Sequence, residues 1–98
     1  MIYKVKALKV FQQQIASLDL KTKKLISDKI DLIKENPYRN KRIFSKKYSK
    51  LFRVRFSINK KETRLIYLVI APNIILVCLL ERKKNYKDLE KYLKKLSR

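Results

Sequence analysis

Between Leu51 and Leu80 the chain offers three successive runs of strand-forming residues, and their alternation constrains everything around them. In the first run, about Leu51 to Ile58, Phe52, Val54, Phe56 and Ile58 fall on one face and Arg53 and Arg55 on the other. In the second, about Thr63 to Ile70, Arg64 shares parity with Ile66 and Leu68, while Leu65, Tyr67 and Val69 share the opposite parity. That strand is apolar on both faces apart from Arg64, so it belongs in the middle of a sheet, covered on both sides. The third run, about Ile74 to Leu80, is apolar throughout and gives way abruptly to Glu81-Arg82-Lys83-Lys84-Asn85-Tyr86. The segments Asn59-Lys60-Lys61-Glu62 and Ala71-Pro72-Asn73 carry turn residues, so the runs form an antiparallel meander.

A sheet with two apolar faces needs two covers, and the flanking segments supply them. Tyr3, Val5 and Ala7 alternate with Lys4 and Lys6, as in a half-buried strand at a sheet edge where lysine discourages further pairing. From Lys9 to Leu18, Val10, Phe11, Gln14, Ile15 and Leu18 fall at helical spacing, with Gln14 the one polar interruption. Asp19 suits an N-cap or turn, and a second helix from about Lys21 to Glu35 shows Leu25, Ile26, Ile30 and Ile33 along one face until Pro37 ends it. Leu89, Tyr92, Leu93 and Leu96 recur at i, i+3, i+4 and i+7, giving a C-terminal amphipathic helix. Such a helix suits the domain's own surface, a membrane surface or a partner groove, and the uncovered second face of the sheet favours packing on the domain. The expected architecture is α+β in a single domain, residues 1–98: an N-terminal strand, a two-helix hairpin and the meander, making a four-stranded antiparallel sheet, and then the C-terminal helix.

Charge narrows the partners. The formal net charge is +19, and it is uneven: residues 1–40 carry nine basic and four acidic residues, residues 41–98 eighteen and four. A surface so positive repels itself and is stabilised by nucleic acid, an anionic membrane or an acidic protein, the alternative being a solvated lysine-rich surface. The connector Tyr38 to Lys50, YRNKRIFSKKYSK, has Ile43, Phe44 and Tyr48 to anchor it. Its Lys46, Lys47 and Lys50 fit either a solvated loop or a strand of nucleic acid, since cations among aromatics suit phosphate contact with base stacking. Arg64 needs a carboxylate such as Glu62 or Glu81, or else a phosphate, for which its rigid fork is suited.

Absences narrow the chemistry further. With no histidine and one cysteine, imidazole catalysis and zinc sites are excluded; with no glycine, so are the phosphate-cradling glycine loops. Any catalysis falls to Lys, Arg, Tyr or carboxylates, and no cofactor or metal is expected. Cys78, inside an apolar run, reads as a small core residue in a reducing intracellular setting. No stretch resembles a signal peptide or approaches the ~18 apolar residues of a membrane span, so a soluble, cytoplasmic protein without membrane partners is expected.

The order strand, helix, helix, meander, tail, with the motifs FRVRF at 52–56, TRLIY at 63–67 and RKKNY at 82–86, resembles the RelE/ParE toxin superfamily over nearly the whole chain. The resemblance implies the toxin of a type II toxin–antitoxin system. In RelE-like members this is a small basic mRNA interferase, a metal-independent endoribonuclease that cleaves mRNA on the ribosome and is neutralised by an acidic antitoxin protein wrapped around it. Carried over by motif, Arg53 and Arg55 lie on the strand lining the site, Arg64 contacts the scissile phosphate, Arg82 stabilises it from the last strand, and Tyr86 stacks on the cleaved nucleotide. Tyr86 equally continues the stripe of Leu89 and Leu93. Lys46, Lys47, Lys50, Lys60, Lys61, Lys83 and Lys84 are the candidates for RNA and rRNA contact. This chain departs from the best-studied pattern in carrying Arg53 and Arg55 where lysines stand, and guanidinium is a poor base. The base is then to be sought among Lys60, Lys61, Lys83, Lys84, Tyr86, Glu62 and the ribosome. The glycine usual before the tyrosine-arginine pair is also absent. Two alternatives stand beside this one: a ParE-like or catalytically degenerate toxin that binds a protein target such as DNA gyrase, and a non-catalytic basic nucleic-acid-binding protein.

Overall fold

The three alternating runs become three antiparallel strands in the computed structural model, which describes residues 2–81 and 87–96. In chain order the elements are β1 (Lys4–Ala7), α1 (Lys9–Ala16), α2 (Leu20–Glu35), β2 (Lys41–Arg42), β3 (Leu51–Ile58), β4 (Lys61–Ile70), β5 (Asn73–Glu81) and α3 (Lys87–Leu96). The sheet order is β1-β5-β4-β3-β2, which puts the two-sided apolar strand β4 at the centre and β1 at an edge.

The mixture of helices and strands is as expected, but the sheet has five strands rather than four and is not wholly antiparallel. β1 pairs with β5 in parallel, from Lys4 opposite Asn73 to Ala7 opposite Leu76. Tight turns force neighbouring strands of a meander to be antiparallel, whereas β1 reaches β5 only through the whole intervening chain, so no turn dictates its direction. Its ends are pinned by Lys4 N–H donating to the Pro72 carbonyl (2.8 Å) and Leu8 N–H to the Leu76 carbonyl (3.0 Å). The fifth strand, β2, is a two-residue edge in the basic connector, with Lys41 opposite Arg53 and Arg42 opposite Phe52.

β3 and β4 are joined by two residues, Asn59 (φ 50°) and Lys60 (φ 67°), a tighter turn than the four-residue segment expected, so β4 starts at Lys61. Positive φ at both positions is the geometry that matches strand twist, and asparagine followed by glycine is its usual sequence. Here a lysine takes the second place. Further along, the pairing of β4 with β5 shifts: Ile66 faces Cys78 but Tyr67 faces Leu76, leaving Val77 as an extra residue. This bulge reverses the parity of β5, so that Leu80 comes opposite Arg64 and Glu81 opposite Thr63.

The helices follow from their caps and stripes. The Asp19 carboxylate accepts from Thr22 N–H at 2.8 Å at the start of α2, and hydrogen bonding from the Thr22 side chain, then from this N–H, holds Asp19 below the usual carboxylate range. Asn36, extended before Pro37, stops the helix. α1 ends two residues earlier than expected, at Ala16. Phe11, Ile26 and Ile33 pack on Phe52, Leu65, Tyr67 and Leu76, forming the core under the helix hairpin. On the other face Leu89 and Leu93 of α3 meet Leu51, Ile66, Leu68, Val77, Cys78 and Leu80, so the C-terminal stripe covers the sheet as expected. No helix among the described residues is long and apolar enough to cross a membrane.

Gln14 explains itself once β1 is seen to be short. β1 reaches only as far as Leu76. Beyond it the carboxamide of Gln14 serves as a one-residue strand, its Nε2 donating to the Leu79 carbonyl (3.0 Å) and its Oε1 accepting from Leu79 N–H (2.7 Å).

Candidate functional site

Register brings the predicted arginines of β3 and β4 together. Arg55 stands directly opposite Arg64, and Arg53 stands between Ile66 on one side and Lys41 on the other. Directly paired residues share a face, so Lys41, Arg53, Arg55 and Arg64 all lie on the face that α3 covers further along. Lys41 was not singled out from the sequence; a two-residue strand leaves no alternation to read. Glu62, opposite Ser57, lies on the same face, with its Oε1 3.8 Å from Arg55 Nε. The side chain of Arg55 is 52% exposed and that of Glu62 29%, so their attraction is screened and contributes little to stability. A recess of about 430 Å³ opens beside this row, bounded by Lys29 of α2, Asn40, Lys41, Arg53 and Arg55.

The rim of the site is fixed by a buried tyrosine. Tyr67, fully buried on the helix side of β4, donates its hydroxyl to the Pro37 carbonyl (2.7 Å) and accepts from Asn40 Nδ2 (3.0 Å). Burial pushes its phenol up to about 12, partly countered by the Asn40 bond. These two bonds tie the exit of α2 to the centre of the sheet, which places Lys41 beside Arg53. Tyr67 also stacks on Phe52 at 5.4 Å.

The lysines divide. Lys46 and Lys47 are exposed in the connector, whose Ile43 and Tyr48 pack into the core on the arginine side of the sheet. Lys50 does not join the arginines: its Nζ lies 5.6 Å from the ring of Tyr38, which packs edge-on against Phe52 of the helix-side core. Lys60 occupies the turn, and Lys61 pairs with Ile58, whose side chain packs with the helix-side core. Of the expected anchors in the connector, Phe44 is not one; it is 87% exposed. Arg82, Lys83, Lys84 and Tyr86 lie outside the described residues. Glu81, the last described residue of β5, lies opposite Thr63, one position from Arg64.

Chemically, this face offers several guanidiniums, whose planar forks suit an oxyanion or a phosphodiester. Among the described residues no three His, Cys, Asp or Glu side chains are grouped as metal ligands.

Comparison with solved structures places the fold. The chain is similar to an arginine-to-alanine double mutant of the Escherichia coli toxin RelE in its free state, with a TM-score of 0.74, 14% identity and 98% of both chains covered. It is similar to a chain of the intact E. coli RelBE toxin–antitoxin complex, with a TM-score of 0.68, 14% identity, and 84% of this chain and 99% of that one covered. It is also similar to the isolated E. coli RelE toxin, with a TM-score of 0.66, 12% identity, and 96% of this chain and 98% of that one covered. The fold is therefore RelE-like. No protein-family model matches the sequence, and no curated protein matches it.

Proposed function

We propose that the protein is the toxin of a toxin–antitoxin pair and cleaves messenger RNA on the ribosome. The observation that carries this reading is the row Arg53, Arg55 and Arg64 on one sheet face, with Arg55 and Arg64 in direct opposition. Parallel guanidiniums on adjacent strands suit the oxygens of a phosphodiester. The RelE-like fold supports the toxin assignment, and the net charge of +19 supports an acidic antitoxin as partner.

The reaction proposed is transesterification within RNA. The 2′-oxygen, losing its proton to a base, forms a bond to the adjacent phosphorus, the bond from phosphorus to the 5′-oxygen breaks, and that oxygen takes a proton from solvent, giving a 2′,3′-cyclic phosphate and a 5′-hydroxyl. Arg64 and Arg55 neutralise the charge that accumulates on the phosphoryl oxygens, with Arg53 beside them and Arg82 of the RKKNY motif adding to that role; loss of one such donor costs on the order of 100- to 1,000-fold in rate. Tyr86 stacks on the nucleotide at the cut. The proton of the 2′-hydroxyl needs an acceptor that a guanidinium cannot be. Among the candidates named from the sequence, Glu62 shares the arginine face, next to Arg55, and we assign it the base.

The test is expression in cells with mapping of messenger 5′ ends. Codon-positioned cuts that vanish in Arg64→Ala and Arg82→Ala support the enzyme, with Glu62→Gln abolishing cutting while ribosome binding persists. Damaged DNA or stalled replication with intact messengers would overturn the reading in favour of a gyrase-type target.

A further inference from the structure

Phe44 is anomalous in its surroundings. It is 87% exposed, while its neighbours Ile43 and Tyr48 pack into the core shared with α3. The segment presenting it is well bonded. Ser45 Oγ accepts from Lys47 N–H (3.3 Å) and Tyr48 N–H (3.2 Å), Ile43 N–H donates to the Leu51 carbonyl (2.8 Å), and the Arg42 guanidinium donates to the Ser49 carbonyl. The phenyl ring thus stands in water on a braced loop, although burying it would gain roughly 1.5–3 kcal/mol.

Next to it a recess of about 410 Å³ opens between the connector and α3, with Phe44, Lys46, Lys47 and Tyr48 on one wall and Leu93 and Lys94 on the other. Three lysines face one carboxylate there, Glu90, so the recess is positive. Its position continues the arginine row. Ile43 and Tyr48 rest on the core that contains Leu51, and Leu51 is two residues before Arg53 on the same face of β3. Lys41 and Arg42 connect the two places along β2.

We propose that Phe44 is a nucleobase-stacking residue, and that Lys46 and Lys47 take the flanking phosphates of the same single-stranded RNA. This rests on the reading of the protein as an RNA-cleaving toxin and extends its substrate contact beyond the scissile phosphate. A lone aromatic ringed by cations suits a base with its phosphates, because every base presents a π-face and every nucleotide a charge. A protein-binding surface differs in kind, having an apolar centre of several residues from which lysine is depleted.

The chain has no tryptophan, so Phe44→Trp gives an emission signal from this position alone. The probes are a short 2′-O-methyl RNA, which cannot be cut by its own 2′-oxygen, and an abasic strand with the same number of phosphates. The RNA should quench the emission saturably and the abasic strand should not. Phe44→Ala should keep the melting temperature of the parent, its side chain being exposed, yet bind the RNA about 5- to 150-fold more weakly, the range for one base–aromatic stack. Equal quenching by both strands, or RNA binding by Phe44→Ala within about twofold of the parent, overturns the proposal; a stack contributes more than that. If Arg64→Ala weakens RNA binding and Phe44→Ala does not, the stacking site alone is wrong. If the parent binds no RNA and cuts no messenger, the enzymatic reading fails with it.

Discussion

Replacing Gln14 tests whether one side chain finishes the edge of β5. In the folded protein its carboxamide makes two hydrogen bonds to the backbone of Leu79, at 2.7 and 3.0 Å. Gln14→Ala removes both and leaves an N–H and a carbonyl in a half-buried setting. At about 0.5–1.5 kcal/mol net for each bond, the loss is about 1–3 kcal/mol. Alanine recovers only a few tenths as the better helix former. For a domain of this size the melting temperature should fall by about 3–20 °C, and the urea midpoint by about 0.3–2.5 M. The Leu79 amide should lose hydrogen-exchange protection while those of Leu65 and Tyr67 in β4 keep theirs. Gln14→Glu supplies a sharper version: a carboxylate still accepts from Leu79 N–H but points its second oxygen at the Leu79 carbonyl. Its folded-state pKa is thereby raised, so stability should be higher below the ordinary glutamate value of about 4.3 and fall as pH rises through the folded value. An unchanged melting temperature in Gln14→Ala, with Leu79 still protected, would refute the claim that the carboxamide stands in for a strand.

Lys60 holds φ at 67° in the β3–β4 turn, where a residue with a Cβ is penalised and glycine is not, so Lys60→Gly should raise stability by roughly 1 kcal/mol in urea unfolding. Tyr67 has its phenol pushed up to about 12 from an ordinary value near 10, so the folded state holds this proton more tightly. That contribution is complete below pH 10 and disappears as pH rises toward 12, by about 1.4 kcal/mol per pH unit at most. Tyr67→Phe should abolish this part of the alkaline loss, seen as the difference between the two proteins' urea midpoints across that range. At neutral pH it should cost about 1–2 kcal/mol through the missing bonds to Pro37 and Asn40.

What could be read from the sequence depended on whether a feature left a periodic trace. β3 was legible to the residue, because FRVRF alternates without interruption between polar and apolar. α2 was legible because an N-cap aspartate and a proline bracket it. The bulge at Val77 was not: Ile74 to Leu80 is apolar on both faces, and a strand without contrast carries no parity to reverse. Two-residue β2 is shorter than one period, and the parallel docking of β1 is decided by tertiary packing. Phe44 misled in the opposite sense, since an aromatic residue between Ile43 and Tyr48 reads as an anchor until the loop's own hydrogen bonds turn it outward. Gln14 appeared only as a flaw in an apolar stripe, when its role was to complete a strand that β1 leaves unfinished.

The arginine face combines these legible and illegible parts. Alternation in β3 predicted that Arg53 and Arg55 project together, but only the register of the hairpin decides that Arg55 meets Arg64 head-on. That register depends on the turn being two residues long, with Lys60 accepting an unfavourable φ; a different turn length would shift the pairing and move Arg64 away from Arg55. Taken alone, a like-charge opposition of this kind costs roughly 0.2–1 kcal/mol, and the partly exposed Arg55–Glu62 pair returns a similar amount. The two-residue turn, with Lys60 at φ 67°, thus produces the head-on placement of Arg55 and Arg64. Under the proposed mechanism this geometry sets the scissile phosphate against Arg55 and Arg64, and Glu62, whose Oε1 lies 3.8 Å from Arg55 Nε, takes the proton.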